Sequence, residues 1–87
     1  MNTPPASIGA VALELYGGRS CQYTAEMREQ LEWDGKTFAE YDVESDVQAF
    51  QRLERMVDGQ PMVPVLVEDG RVTAVGWHGR GCYVSKP

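Results

Sequence analysis

Apolar and polar residues recur along the first half of the chain in a pattern that predicts a strand, a helix and a second strand. Residues 11–16 (VALELY) alternate as in a strand and end at two glycines. A helix is predicted over residues 23–33, with Met27 and Leu31 on one face, and an Asp-Gly pair ends it. Residues 37–43 (TFAEYDV) then have the composition of a second strand.

A second helix has the clearest pattern in the chain. Ser45 and Gln48 fit a capping box, in which each side chain satisfies a free backbone N–H group at the start of a helix. Apolar residues then recur at helical spacing and form one continuous stripe. These residues are Ala49, Phe50, Leu53, Met56 and Val57. Gly59 is predicted to end the helix.

The last third of the chain predicts a hairpin. Residues 63–67 (VPVLV) are apolar at every position, as expected for a central strand that is covered on both faces. Asp69-Gly70 is a hairpin turn signal, and residues 72–77 (VTAVGW) form the returning strand. The order βαβαββ predicts an α/β sandwich of two or three layers around one core.

The composition sets limits on domain number and on partners. The 87 residues suffice for one domain, which we expect over residues 10–87, after a disordered tail at residues 1–9 that contains Pro4-Pro5. The net charge of −5 argues against a nucleic-acid partner, which would require clustered lysine and arginine. No apolar run approaches the roughly 20 residues of a membrane span, and no signal peptide is apparent. We expect a cytoplasmic monomer.

Cys21 is the main candidate for chemistry. It falls at the carboxyl end of the first strand and the amino end of the first helix, the edge at which open α/β sheets bind ligands. A helix N-terminus favours the nucleophilic thiolate by at most about 2 kcal/mol, whereas nearly complete ionisation at neutral pH needs roughly 3.4 kcal/mol. We expect the free N–H groups of the first helical turn, the Thr24 hydroxyl and the Arg19 guanidinium to supply the rest. The alternative is that Cys21 is a buried, inert side chain.

Val63-Pro64 adds a second feature to this picture. Proline donates no backbone hydrogen bond and therefore belongs at the first residue of a strand or on an edge. An X-Pro bond is also the one peptide bond that becomes cis at modest cost. Either a plain strand start or a cis bond in a tight turn fits the residues.

Taken in this order, the motifs resemble a glutaredoxin of the thioredoxin-fold superfamily over about residues 11–79. The resemblance is carried by Cys21-Gln22-Tyr23-Thr24, by YDV (41–43), by VPVLV (63–67) and by Gly76. It implies a four-stranded mixed sheet in which the first two strands are parallel and the hairpin lies antiparallel beside the first strand. It also implies that Pro64 is cis, precedes the third strand and lies near Cys21.

The resemblance also implies roles for residues. Cys21 matches the nucleophile, and the backbone of Val63 would pair with the extended chain of glutathione or of a protein substrate. Arg19 stands near the basic residue that binds a glutathione carboxylate. Apart from the resemblance, Arg19 and Arg80 together would favour an anionic substrate, and the alternative is that they are ordinary surface arginines. The residues assigned to substrate binding are Arg19, Gln22, Tyr23, Met62, Val63, Pro64, Gly76, Trp77 and Arg80.

Departures from the family pattern limit these implications. Thr24 replaces the second cysteine of the motif, so a dithiol cycle within the motif is impossible. The segment 76–80 (GWHGR) replaces the Gly-Gly-x-Asp-Asp that holds glutathione and is closer to the Trp-Ser-Gly-Phe of redoxins that reduce ribonucleotide reductase. Thr24 together with GRGC (79–82) resembles a small bacterial glutaredoxin-like group, some of whose members carry selenocysteine at the position of Cys21.

Cys82 has two interpretations. The neighbouring glycines give the tail freedom to fold back, so that Cys82 would act as a resolving thiol toward a mixed disulfide at Cys21. Otherwise it packs in the tail between Trp77 and Tyr83. His78 and the two cysteines match no zinc-ligand spacing, and the residues after Cys21 do not match the single-cysteine glutaredoxins that hold an iron–sulfur cluster. Neither a metal nor a bound cofactor is predicted.

Two classes of function follow from these observations. The first is a thiol–disulfide oxidoreductase with Cys21 as nucleophile, Cys82 or glutathione as the resolving thiol, and glutathione or a protein disulfide as partner. An electron donor to a ribonucleotide-reductase-type enzyme is a variant of this hypothesis. The second is a thioredoxin-fold binding or adaptor module in which Cys21 has no redox role.

Overall fold

The computed structural model describes residues 12–87, so the tail expected at residues 1–9 lies outside the described residues. Each of the six predicted elements is present, and two further strands of two residues each are found. The strand predicted over residues 63–67 starts only at Val65, because Val63 belongs to one of the short strands, and the strand predicted over residues 72–77 is Arg71–Val75. In chain order the elements are β1 (Leu13–Gly17), α1 (Gln22–Trp33), β2 (Ala39–Asp42), α2 (Val47–Met56), β3 (Met62–Val63), β4 (Val65–Glu68), β5 (Arg71–Val75) and β6 (Cys82–Tyr83).

Four strands form one mixed sheet in the order β2-β1-β4-β5. β1 and β2 run parallel, with Tyr16 opposite Tyr41. β4 lies antiparallel to β1, with Leu15 opposite Leu66, and β5 continues the antiparallel order. This arrangement confirms the predicted four-stranded mixed sheet of a thioredoxin-like fold.

The two helices cover opposite faces of this sheet, because alternate residues of a strand point to opposite sides. On one side, Met27 and Leu31 of α1 pack with Leu13 and Leu15 of β1. On the other side, α2 packs against Tyr16 of β1 and against Val65 and Val67 of β4. The buried residues on this side form the α2-side core: Tyr16, Cys21, Val43, Ala49, Phe50, Leu53, Val63, Val65, Val67 and Val84. Cys21 therefore lies at the margin of the α2-side core.

The predicted capping box at the start of α2 is wrong. The N-cap is Asp46, whose side chain accepts hydrogen bonds from the backbone N–H groups of Gln48 and Ala49 at 3.0 and 3.1 Å. Ser45 Oγ instead donates to Asp42 Oδ2 at 2.9 Å. A carboxylate is both a favoured N-cap and a charged acceptor, so Asp46 starts the helix one residue later than the pattern suggested.

Two tight turns shape the last third of the chain. Asp69 and Gly70 both have positive φ, 51° and 80°, as a type I′ turn requires, which confirms the predicted β4–β5 hairpin. His78 and Gly79 repeat this backbone, with φ of 51° and 79°, between Trp77 and Arg80, whose backbones exchange hydrogen bonds of 2.6 and 2.9 Å. The second turn reverses the chain, and β6 then pairs antiparallel with β3.

No helix within residues 12–87 has the length and apolar character needed to cross a membrane.

Candidate active site

Cys21 is the N-cap residue of α1, as its position between a strand and a helix predicted. Its backbone is extended, with φ −92° and ψ 115°, and its side chain makes no capping hydrogen bond. The residue is only 4 % exposed. The first turn of α1 contains no acidic residue, so the helix itself places no like charge against a thiolate at this positive end of its dipole.

Cys21 is joined to Cys82 by a disulfide bond. Their Cα atoms are 5.9 Å apart although the residues are 61 positions apart in the sequence, and this distance lies within the range of about 4.4–6.8 Å for disulfides. Cys82 lies opposite Val63 in the β3–β6 pair, and Cys21 Sγ is 4.0 Å from the Val63 carbonyl oxygen. The tail thus folds back onto Cys21, which is the first of the two arrangements considered for Cys82.

Gly81 explains how closely the tail approaches β3. A Cβ atom at this position would lie 2.6 Å from the Val63 carbonyl oxygen and 3.0 Å from Met62 Cγ, closer than real Cβ atoms come to backbone oxygen. Only glycine fits there without a shift of the strand. The sequence indicates only that Gly81 makes the tail flexible, whereas the structure shows that Gly81 is also needed for close packing. Its position directly before a cysteine was the available signal.

Thr24 is buried and fixes the loop that leads into Cys21. Its Oγ1 accepts a hydrogen bond of 3.1 Å from the Gly18 backbone N–H, and its Cγ2 fills the space where a Cβ atom of Gly17 would lie. Among the hydrogen bonds of residues 12–87, none joins Thr24 to Cys21 Sγ in this disulfide form. The expected contribution of Thr24 to thiol ionisation stays a prediction.

Arg19 is directed toward a carboxylate rather than toward the sulfur. Its guanidinium Nη2 lies 3.1 Å from Asp42 Oδ2, and three quarters of its side chain is exposed. The neighbouring Ser20 donates through its backbone N–H and its hydroxyl to Glu44 Oε1, at 3.0 and 3.1 Å. Asp42 and Glu44 therefore hold the loop before Cys21 in place. The positive charge of Arg19, which was expected to act on the thiol, is paired with Asp42.

Asp42 is held in its charged form by the residues that follow it and by Arg19. Burial by itself would raise the pKa of its carboxyl group. Hydrogen bonds from the Ser45 hydroxyl and the Glu44 backbone N–H, together with the Arg19 guanidinium, outweigh burial and place the pKa of Asp42 below its ordinary value.

Four of the residues assigned to substrate binding lie together in or beside β3, which pairs with the strand that carries Cys82. Val63 and Pro64 are buried, and the bond between them is cis, as the resemblance implied. The backbone N–H of Gly76 donates to the Pro64 carbonyl oxygen at 2.7 Å. Gly76 has φ of +83°, and a Cβ atom there would lie 2.8 Å from the Arg80 carbonyl oxygen, so glycine is required. Met62 lies beside Gly76 and Gly81, through its side chain.

Four other assigned residues, Gln22, Tyr23, Trp77 and Arg80, form no hydrogen bond with the sulfur atoms among residues 12–87. Gln22 is exposed, and Tyr23 is half-buried against the α2-side core. Trp77 packs on the α1 side of the sheet and donates from Nε1 to Glu26 Oε1 at 3.1 Å. Arg80 is exposed at the end of the second tight turn. Their roles in binding a substrate stay predictions.

Among residues 12–87, no three side chains of histidine, cysteine, aspartate or glutamate are grouped so that they could hold a metal ion.

The fold and the placement of Cys21 define a thioredoxin-like α/β protein with a cysteine at the start of its first helix. The glutaredoxin family model matches residues 13–73, and the chain therefore belongs to the glutaredoxin family. Cys82 and the tail that carries it lie beyond the matched residues.

Solved structures agree with this assignment of the fold. A crystal structure of a mutant of the thioredoxin-like protein BC3987 is 28 % identical, with a TM-score of 0.68 over 77 % of this chain and 83 % of that chain. The glutaredoxin from Archaeoglobus fulgidus is 20 % identical, with a TM-score of 0.65 over 80 % of this chain and 79 % of that chain. A search of curated proteins finds no match.

Proposed function

We propose that the protein is a thiol–disulfide oxidoreductase in which Cys21 is the nucleophile and Cys82 the resolving thiol. The observation that carries the proposal is the juxtaposition of these two cysteines, whose Cα atoms are 5.9 Å apart across 61 positions of sequence. Membership of the glutaredoxin family supports the same chemistry. Thr24 stands where the usual motif has its second cysteine, and Cys82 of the tail provides the second thiol instead.

The proposed cycle has two thiol–disulfide exchanges. The Cys21 thiolate attacks one sulfur of a substrate disulfide, so that a mixed disulfide forms and the other substrate sulfur leaves as a thiolate. The Cys82 thiolate then attacks Cys21 Sγ, which forms the Cys21–Cys82 bond and releases the second substrate thiolate. The substrate has gained two electrons and two protons, and the protein dithiol has lost them. An external thiol such as glutathione would regenerate the dithiol.

The surroundings of Cys21 suit its role as the attacking thiol. Sulfur at a helix N-terminus is stabilised as a thiolate by the dipole and by free backbone N–H groups. We infer that Thr24 and Arg19 add to this effect in the reduced protein, where Cys21 Sγ is free to accept hydrogen bonds. The likeness of the Thr24 motif to the group with selenocysteine at this position supports redox chemistry at Cys21.

A protein disulfide is the substrate class that fits the electrostatics better than glutathione does. Glutathione carries two carboxylates, whereas Asp42 and Glu44 flank the loop before Cys21 and Arg19 is already paired with Asp42. Gln22, Tyr23, Trp77 and Arg80 are the proposed outer contacts of the substrate. We propose that the protein works in the cytoplasm as a monomer, with glutathione as its reductant.

Intact-mass spectrometry after treatment of the reduced protein with glutathione disulfide tests the proposal. We expect the wild-type protein to lose two hydrogens and the Cys82→Ser variant to gain one glutathione at Cys21. The Cys21→Ser variant should react far more slowly at its remaining thiol. A glutathione adduct that persists in the wild-type protein would assign resolution to glutathione instead. No reaction of Cys21 would favour a binding or adaptor module without redox activity.

A further inference from the structure

The tail strand β6, which carries Cys82 of the disulfide, pairs with the backbone edge of Val63. Val63 lies opposite Cys82 and Met62 lies opposite Tyr83 in an antiparallel pair. The Val84 backbone N–H extends the pairing by donating to the Pro61 carbonyl oxygen at 3.1 Å. In the described part of the chain β3 pairs with β6 alone, so this edge holds one partner strand.

This arrangement closes the site to other sulfur atoms. Cys21 is 4 % exposed while β6 is in place, and a substrate disulfide must reach Cys21 Sγ to react. The tail therefore has to leave before an external substrate is attacked. Its departure would expose the polar backbone groups of Val63, and an extended segment of another chain is the natural group to pair with them.

Gly81 shows what such a segment must look like. The residue directly before the cysteine approaches Val63 so closely that a Cβ atom would lie 2.6 Å from its carbonyl oxygen. A replacing strand with the same register meets the same oxygen. Any residue other than glycine at that position forces the strand away from Val63, with loss of backbone hydrogen bonds.

We propose that the Val63 edge accepts one extended Gly-Cys segment at a time, either the chain's own Gly81-Cys82 or the equivalent segment of a substrate protein. This inference rests on the proposed function of Cys21. The oxidised protein is closed because the disulfide holds β6 on the edge, and reduction frees the tail to leave. The substrate class is a protein disulfide whose cysteine follows glycine in an extended segment.

The test uses full-length Cys82→Ser protein, in which a mixed disulfide at Cys21 is not resolved. Two heptapeptides are supplied as symmetric disulfide dimers: one copies residues 79–85 (GRGCYVS), and the other has alanine at the position of Gly81. Attack by the Cys21 thiolate forms one Cys21–peptide disulfide and releases one peptide thiolate. The equilibrium constant of this exchange is measured for each peptide by intact mass.

We expect the exchange constant to be about fivefold larger for the glycine peptide, as the loss of one backbone hydrogen bond predicts. Equal constants would overturn the inference and leave the proposed function intact, because Cys21 would still have reacted. Failure of both peptides to react would overturn the inference and the proposed function together.

A second measurement tests whether β6 covers Cys21 in the same way. In the Cys82→Ser background, Gly81→Ala should loosen β6 and increase the rate of Cys21 alkylation about fivefold. The control is Gly59→Ala, because a Cβ atom there meets nothing within 4 Å. Gly59 has positive φ and Gly81 does not, so the control variant carries the backbone strain of an added Cβ atom without a steric contact on β3. An alkylation rate that is equal in the two glycine variants would contradict the proposed closure.

Discussion

The backbone N–H of Gly18 donates a hydrogen bond of 3.1 Å to Thr24 Oγ1, across six residues and within a buried site. This bond ties the loop that precedes Cys21 to the first turn of α1. Thr24 occupies the position at which related redoxins carry a second cysteine. Its contacts show a structural reason for threonine there, separate from any effect on the sulfur.

Replacement of Thr24 by valine should destabilise the protein by about 1–3 kcal/mol, because the buried Gly18 N–H would lose its acceptor while the shape of the side chain is kept. Urea unfolding of the reduced protein measures this change. Thr73→Val is the matched control, since the Thr73 hydroxyl donates to the Leu66 carbonyl oxygen at an exposed position. Equal unfolding midpoints for the two variants would show that the buried bond adds nothing to stability.

Gly17→Ala should cost about 1–3 kcal/mol for a different reason, since its new Cβ atom would overlap Thr24 Cγ2. Thr24→Ser removes that methyl group and keeps the hydroxyl. We therefore expect the double variant to be more stable than the sum of the two single changes predicts. Additive losses of unfolding free energy in this double-mutant cycle would argue against direct contact between the two residues.

The disulfide should contribute about 4 kcal/mol to the stability of the oxidised protein, because it closes a loop of 61 positions in the unfolded chain. Wild-type protein and the Cys82→Ser variant are compared in urea, first oxidised and then with a reducing agent. The difference between them should be large without reductant and should nearly vanish with it. A difference that survives reduction would mean that Cys82 stabilises the tail by packing instead.

Asp42 gives a pH dependence whose sign follows from its lowered pKa. The folded state binds a proton at Asp42 more weakly than the unfolded chain does, so the contribution to stability is complete above the unfolded pKa of about 3.9 and is lost as pH falls through the folded value. The wild-type protein should exceed the Asp42→Asn variant in unfolding free energy at pH 7, and the gap should close in acid.

Asp69→Asn is the control for this series, because Asp69 lies in a turn that also tolerates asparagine and its carboxylate makes no described hydrogen bond. Thermal unfolding at several pH values between 2 and 7, reported as free energies, suffices for the comparison. If the gap between the wild-type protein and Asp42→Asn were independent of pH, the hydrogen bonds to Asp42 would not depend on its charge.

The elements of the main sheet and both helices could be predicted from the sequence because each has a local signature. The apolar stripe through Phe50 and Leu53 has the period of a helix, and the Asp69-Gly70 pair has the backbone freedom of a tight hairpin. The start of α2 was predicted one residue too early. Ser45 and Asp46 are both favourable caps, and contacts with Asp42 from outside the helix decide between them.

The candidate site was predictable only in part. The sequence alone determined that Cys21 lies between a strand and a helix, because the pattern on each side of it changes from alternation to helical spacing. Because Thr24 follows Cys21 by three residues, the sequence also placed the two residues on the same face of the helix. The partner of its hydroxyl, Gly18, depended on how the preceding loop folds.

Only the tertiary structure decided the place of Cys82. Strands of two residues have no period to detect, and the pairing of β3 with β6 joins segments about 20 residues apart through a turn and a close glycine contact. Long-range pairing of this kind depends on the shape of both surfaces, which no single segment encodes. The sequence thus determined where a reactive thiol would lie, and the folded chain decided which group faces it.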